Sequence, residues 1–437
     1  MQSSPSKNHQ VVAAVLGNAL EWYDFIVYGF FSSFIARLFF PADSEYASLL
    51  MALATFGIGF FTRPLGGILL GLYADIKGRK AAMQVIILLM TLAIALIAFA
   101  PTYAAIGVGA PLIIVFARML QGFATGGEYA SATAFLVESA PANRRGFYGS
   151  WQLVGQCLAV FSGAGLGALV THNLSAADLS AWGWRIPFVI GLLIGPVGLW
   201  IRRNMEETQA FIDASAQSEK QRISLVAALR HNLRGILVTM GQTINGTVGF
   251  YVVLVNMPGF AQKQLGLPLD RAFIVQMLAV ALMTVIIPFA GALSDRIGRR
   301  PVLLTATLAF FLLLYPMFAW LVSAPSLSRL LVTQLTLCAI IGVIFGPMPT
   351  ALAEQFPTRV RSTGLAVAYN LAVMLFGGFA PFIVTWLTGI SGMAVAPAWY
   401  LLFAALIGVI AAACMRDNEV AFLENHPLHF DLLKETK

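Results

Sequence analysis

Apolar residues along the chain gather into long blocks of membrane-crossing length, separated by short polar punctuation. The blocks cover about 11–39, 46–72, 81–103, 109–138, 147–171 and 186–202. A polar, charged stretch from Arg203 to about Asn232 follows, and then six more blocks at about 234–257, 271–293, 301–322, 329–353, 362–388 and 397–415. About 20 apolar residues span the hydrocarbon core of a bilayer. The pattern therefore predicts an all-α membrane protein with twelve transmembrane helices in two sets of six. In residue terms it divides into a first bundle at 1–203, a central loop at 204–232, a second bundle at 233–416 and a tail at 417–437. Pro64, Pro288 and Pro347 need not end their helices, because neighbouring helices can satisfy the freed backbone groups.

The punctuation itself repeats. GLYADIKGRK, from Gly71 to Lys80, returns as GALSDRIGRR, from Gly291 to Arg300, 220 positions later. ESAPANRR, from Glu138 to Arg145, matches EQFPTRVR, from Glu354 to Arg361, in its Glu, Pro and final Arg. The two pairs follow the second and fourth blocks of each half, so the chain was built by doubling. Doubled membrane proteins are mostly transporters, because similar halves can rock about a site held between them.

Composition agrees: 59% of residues are hydrophobic, 11% are charged, and the mean hydropathy is +0.80. The net charge of +7 would suit nucleic acid, but its placement argues otherwise. With the N-terminus inside, twenty of the 27 Lys and Arg residues fall in inner segments and five in outer loops. That asymmetry is a topology label, which excludes nucleic acid as a partner and puts both termini in the cytoplasm. Trp182 and Trp184 fit an aromatic belt at the outer face. Cys157, Cys338 and Cys414 lie in apolar blocks and predict no disulfide. The polar N-terminus carries no cleavable signal pattern, so the first block is expected to stay as a helix.

The loop motif G-x-x-x-D-R/K-x-G-R-R/K, complete at Gly291–Arg300 and present at Gly71–Lys80 with Ile76 where a base is usual, resembles the signature of the major facilitator superfamily. The resemblance covers essentially the whole chain. GNALEWYDFIVYG (Gly17–Gly29), RPLGG (Arg63–Gly67), RMLQGFATGGE (Arg118–Glu128) and WGWRIPF (Trp182–Phe188) look like the metabolite:proton symporter family within it. LFFPADSE (Leu38–Glu45) and RRNMEETQAF (Arg202–Phe211) look most like its citrate and tricarballylate carriers. The resemblance implies two pseudo-symmetric six-helix bundles with a cargo site between them at mid-membrane. It also implies an inner gate formed by Asp75, Arg79, Glu138, Asp295, Arg299 and Glu354, where acids and bases pair across helices. Read without it, the bases are topology determinants and the acids close helices.

An ionised group at the bilayer centre costs about 2.5–3.5 kcal/mol on insertion scales, so such groups persist when paired or functional. Glu21, Asp24, Arg63, Arg118 and Glu128 qualify. Glu21 and Asp24 share a face of the first helix with Asn18 and Tyr28, and Glu21 lies roughly 15 Å from its inner end. Two close carboxylates in low dielectric should not both be ionised at neutral pH, which suits proton coupling by Asp24, Glu21 or Glu128. The alternative is a structural pair neutralised by an arginine. Arg118, Gln121, Thr125 and Glu128 form one polar stripe on the fourth helix, and the resemblance links Arg118 to coupling or to an anionic cargo. Guanidiniums hold carboxylates bidentately, so Arg63 and Arg118 point to an organic acid. Gln152, Gln156, Gln242, Asn245, Tyr369 and Asn370, with Gln121, are candidate neutral contacts to it. Each is alternatively an interhelical bond worth about 0.6 kcal/mol.

The sequence shows no phosphate loop, no metal-ligand cluster and no nucleophile elbow, so no cofactor, metal or enzymatic activity is expected. The expected protein is a monomeric symporter in a plasma membrane, specifically a bacterial inner membrane, importing a tri- or dicarboxylate with protons. A proton-coupled exporter and a zwitterion carrier share the architecture, while a non-transporting sensor would need an output domain.

Overall fold

The computed structural model describes residues 7–415 other than 78, 127, 139, 194, 199–231 and 358–360. The central loop, apart from Asn232, and the tail at 417–437 lie outside the described residues. All described secondary structure is helical. The helices are α1 (Lys7–Phe30), α2 (Glu45–Gly71), α3 (Ala81–Ala98), α4 (Gly109–Thr125), α5 (Arg145–Asn173), α6 (Gly183–Gly198), α7 (Leu233–Leu265), α8 (Leu269–Ile297), α9 (Arg299–Ser323), α10 (Leu327–Ala353), α11 (Arg361–Ser391) and α12 (Ala396–Cys414). Among the described residues nine of these are long and apolar enough to cross a membrane. The other three are α4 and α6, which are apolar but shorter, and α1, which carries Glu21 and Asp24. All twelve predicted spans are therefore present.

Several helices are interrupted where chemistry later concentrates. Proline does not decide this alone: Pro288 is carried inside α8, whereas α10 stops at Phe345 and restarts at Met348 beyond Pro347. In α2 the break falls at Thr62, whose single hydroxyl hydrogen is shared between Gly59 O (2.9 Å) and, across the crossing, the nearer Met119 O of α4 (2.7 Å). The two backbones touch there, since a Cβ on Gly122 would lie 1.5 Å from Gly59 O. That close crossing brings Arg63 of α2 beside Arg118 of α4. In the second half, α7 widens into a π-helical stretch at Phe250–Asn256 and α11 at Val373–Gly377. Such bulges frequently mark functional positions.

The halves meet along α5 with α8 and along α2 with α11. At the end bearing Arg145 and Arg299, the basic end, the Thr350 hydroxyl donates to Arg145 O (2.9 Å). At the opposite end Tyr46 of α2 donates to Trp386 O of α11 (3.3 Å), and His172 of α5 lies 3.2 Å from Asp270 of α8. Among the described residues the halves thus touch at both ends. At the basic end α5 and α8 touch through two glycines: a Cβ on Gly291 would lie 2.6 Å from Gly146 O, and one on Gly146 would lie 2.5 Å from Gly291 O. Gly291 opens the second decapeptide, so its lack of a side chain serves closure. Gly291→Val should hold the basic end open. Ser294→Cys, at a site 1% exposed in the closed form, should then react with a thiol reagent at least several-fold faster in a background lacking the native cysteines. An unchanged rate would show that this contact does not close the basic end.

One sequence expectation needs correction. Trp184 is not part of a surface belt: it is fully buried, edge-on to Phe39 (5.4 Å) and Phe188 (6.0 Å), with Arg185 over its ring at 4.3 Å. Arg185 also donates to Ala100 O (2.9 Å), so the WGWRIPF segment clasps the α3–α4 connection to α6. Only Trp182 of the pair is at the surface. The three cysteines are free thiols, as expected.

Candidate functional site

The polar residues predicted inside spans are buried within the protein rather than turned to lipid. Glu21, Asp24, Arg63, Arg118, Gln121, Gln152, Gln156, Gln242, Asn245, Tyr369 and Asn370 are all buried, with Asp24, Arg118, Gln121 and Gln242 fully so. The side chains of Asp75, Arg79, Glu128 and Glu138 lie outside the described residues.

Arg118 and Arg63 organise the centre. Arg118 Nη1 donates to Gln121 Oε1 at 2.7 Å, one turn along α4, and Gln121 Nε2 donates to Asp24 Oδ2 of α1. The amide therefore stands between the guanidinium and the carboxylate. Because Arg can only donate, Gln121 must present its oxygen to Arg118 and its NH2 group to Asp24. Asp24 Oδ1, Arg118 Nε and Nη2, and Arg63 Nε have no hydrogen-bond partner among the described residues.

Aromatic faces do much of the work of holding these cations in an apolar interior. Arg118 lies over Phe25 (4.5 Å), Tyr28 (4.6 Å) and Phe56 (4.8 Å), and Arg63 lies over Phe60 (4.6 Å), Phe25 (5.1 Å) and Trp22 (5.5 Å). Each desolvated cation–π contact is worth up to about 2 kcal/mol. Phe25 serves both arginines. Tyr251 closes the cage from the second half, its ring edge-on to Phe56 (5.5 Å) and Phe60 (5.6 Å). Beside Arg63, among the described residues, lies a cavity of about 10 Å³ lined by Asn18, Glu21, Trp22, Phe25, Arg63, Thr125 and Tyr129. That is room for about one water, and every lining residue belongs to the first half.

The neutral candidates divide. Gln152 and Gln156, one turn apart on α5, have side-chain nitrogens without a hydrogen-bond partner among the described residues. Gln242 donates to Gly408 O of α12 (2.7 Å), whereas Asn245, packed on the same glycine, has neither amide atom hydrogen-bonded among the described residues. The Gln242 bond is thus interhelical, inside the second half. Asn370 donates to Gly126 O (2.7 Å), and Tyr369 stacks on Tyr129 with centroids 3.7 Å apart. These two residues tie the halves together on the basic side of the cavity, with the Tyr369 hydroxyl within reach of Arg63.

Of the gate residues, Asp295, Arg299 and Glu354 come together. Arg299 pairs with Asp295 (2.8 Å) and Glu354 (3.4 Å), both of its own half. The link across the halves is different: Asp295 accepts from the backbone N–H groups of Gly146 (2.8 Å) and Phe147 (2.9 Å) at the start of α5. A carboxylate there satisfies orphan donors and faces the positive end of the helix dipole. Burial raises the Glu354 carboxyl above its ordinary range, and Arg299 opposes that shift.

The aromatic cage and a buried amide pair were not picked out from the sequence. The cage had a readable signal: Phe56, Phe60 and Arg63 sit at i, i+4 and i+7 on one face of α2. The pair is Gln334 of α10, which donates to Gln276 Oε1 of α8 (2.5 Å) and to Val253 O of α7 (3.1 Å). Its two members lie in different helices, and neither stands out on a stripe of its own.

Comparison with known proteins bears on this arrangement. The model of the family described as sugar (and other) transporter matches residues 10–230 and 199–424. The chain is 38% identical to a citrate-proton symporter of Salmonella typhi, over 93% of each chain. It is also 38% identical to a citrate-proton symporter of Klebsiella pneumoniae, over 95% of this chain and 93% of that one. A proline/betaine transporter of Escherichia coli (strain K12) is 34% identical over 93% of this chain and 83% of that one. Among solved structures, a D-xylose-proton symporter aligns with a TM-score of 0.74 at 19% identity, over 93% of this chain and 96% of that one.

Proposed function

Since the chain belongs to the sugar (and other) transporter family of the major facilitator superfamily, and is a proton-coupled transporter rather than an enzyme, we propose that its cargo is an organic tri- or dicarboxylate resembling citrate or tricarballylate. The observation that carries this reading is the pair of buried guanidiniums with unpartnered N–H donors, two forks matched to carboxylates. Asp24 and Glu21 stand beside them, so a proton taken up by the first half offsets the charge of the bound anion. The loaded site is then closer to neutral and can pass between two open forms, with 1–203 and 233–416 moving as the two bundles. The basic end faces the cytoplasm, both termini lie on that side, and the membrane is a bacterial inner membrane.

The proline/betaine relatives make a zwitterion the competing cargo. A quaternary ammonium is held by aromatic faces. Here the faces of Trp22, Phe25, Phe56 and Phe60 are already taken by the two guanidiniums, which favours an anion.

Uptake of labelled citrate, tricarballylate, succinate and glycine betaine into proteoliposomes, with and without an alkaline interior, tests the assignment. The expected result is accumulation of at least one carboxylate only when the gradient is imposed. Accumulation of betaine, with no competition from any carboxylate, would overturn it. Cargo driven outward by the gradient would favour an exporter.

A further inference from the structure

We infer that Gln334, with Gln276, is a positioning residue for the central site: the amide pair holds the π-helical stretch of α7 in its widened form and so keeps Tyr251 seated on the arginine cage. This rests on the reading of the two-arginine centre as the cargo site, but its test below needs no cargo.

A π-helical turn bonds i to i+5 and displaces carbonyls from their ordinary i+4 partners. Within Phe250–Asn256, the carbonyl of Val253 accepts from Gln334 Nε2 at 3.1 Å. The second hydrogen of that nitrogen goes to Gln276 Oε1 at 2.5 Å. The orientation of both amides is forced, because a backbone carbonyl can only accept, so Gln334 must turn its nitrogen to α7 and Gln276 must offer its oxygen. Gln276 is 0% exposed and Gln334 is 1% exposed. Water cannot readily replace either bond.

Tyr251 lies two residues before Val253 in the same stretch. Its ring packs on Phe56, Phe60 and Trp22 of the first half, at 5.5, 5.6 and 6.5 Å. Its hydroxyl has no hydrogen-bond partner among the described residues. No polar contact of its own fixes Tyr251, so the path of the α7 backbone sets where the ring sits. The widened turn carries an extra residue, and one residue of an α-helix is about 100° of rotation. Reversion of the stretch to α-helical spacing would swing neighbouring side chains by about that angle and lift the tyrosine from Phe56. The amide pair thus joins α8 and α10 of one half to the arginines of the other.

The test measures how well Phe56 is covered. Phe56→Cys is placed in a background with Cys157, Cys338 and Cys414 replaced by serine, and its reaction with a small impermeant thiol reagent is followed without cargo. Gln334→Met keeps length and removes the donor. It should raise the reaction rate at least tenfold, since it removes both buried hydrogen bonds of Gln334 and the loss of one of ordinary strength already accounts for about tenfold. Gln276→Met leaves the Val253 bond in place and should give a smaller rise in the same direction, which keeps the test open if Gln334→Met does not fold. Thr307→Val removes a buried hydroxyl of α9 in the same half, unpartnered among the described residues, and should leave the rate unchanged. A parental rate in Gln334→Met, or in Gln276→Met if that is the variant that folds, would overturn the assignment. So would an equal rise in Thr307→Val. Failure of carboxylate uptake would leave the rate differences intact, so the two readings fail separately.

Discussion

Asp24→Asn is expected to abolish accumulation driven by a pH gradient while exchange of cargo between the two sides survives. Asp24 is fully buried, with one oxygen bonded to Gln121 and the other without a partner among the described residues. Because a neutral amide separates it from Arg118, it can gain or lose a proton without breaking a direct ion pair. Asparagine keeps the shape and can still accept from Gln121, so the fold and the cargo-loaded transition should persist. What is lost is the exchangeable proton, and with it the link to the gradient. The measurement is a comparison of net uptake with counterflow in proteoliposomes, using whichever carboxylate is transported. Undiminished gradient-driven accumulation would move coupling to Glu21 or Glu128.

The second large effect is expected at the arginines. Arg118→Lys keeps the charge but loses the planar fork and its stacking on Phe25, Tyr28 and Phe56. Truncating one partner of a buried, hydrogen-bonded charge pair costs about 2–5 kcal/mol. Even the lower figure predicts a fall of roughly 30-fold in apparent affinity. Arg63→Lys should behave similarly, because it loses Phe60, Phe25 and Trp22 in the same way. Concentration dependence of uptake, read beside thermal stability in detergent, separates lost binding from lost folding. An apparent affinity within threefold of the parent for both variants would remove the arginines from the cargo site.

Much of this centre was legible in the chain because lipid makes polar residues conspicuous. Asp24, Arg63, Arg118 and Gln121 stood out as exceptions in apolar blocks, and all four lie together in the structure. The spans were equally legible, since hydropathy and length suffice for them. What surrounds the arginines was not, because Phe25, Phe56 and Phe60 read as ordinary apolar residues until a cation is placed over them. Trp184 misled for a related reason: an outer-face tryptophan fits an interfacial belt, and only packing against Phe39 and Phe188 shows it buried. The π stretch was invisible, since Phe250–Asn256 differs from an α-helix in hydrogen-bond register and not in apolar content. Gln242 and Asn370 show the reverse limit. Residue type announced a hydrogen bond but could not say whether Gly408, Gly126 or a ligand would receive it.

The cavity of about 10 Å³ beside Arg63 bears on how tightly the cycle is kept. A symporter must return without cargo, and during that return an ion that slips through wastes the gradient. With space for about one water, that cavity leaves a hydrated ion no more room beside Arg63 than it leaves cargo. Small ions are then refused at that point of the closed form along with cargo.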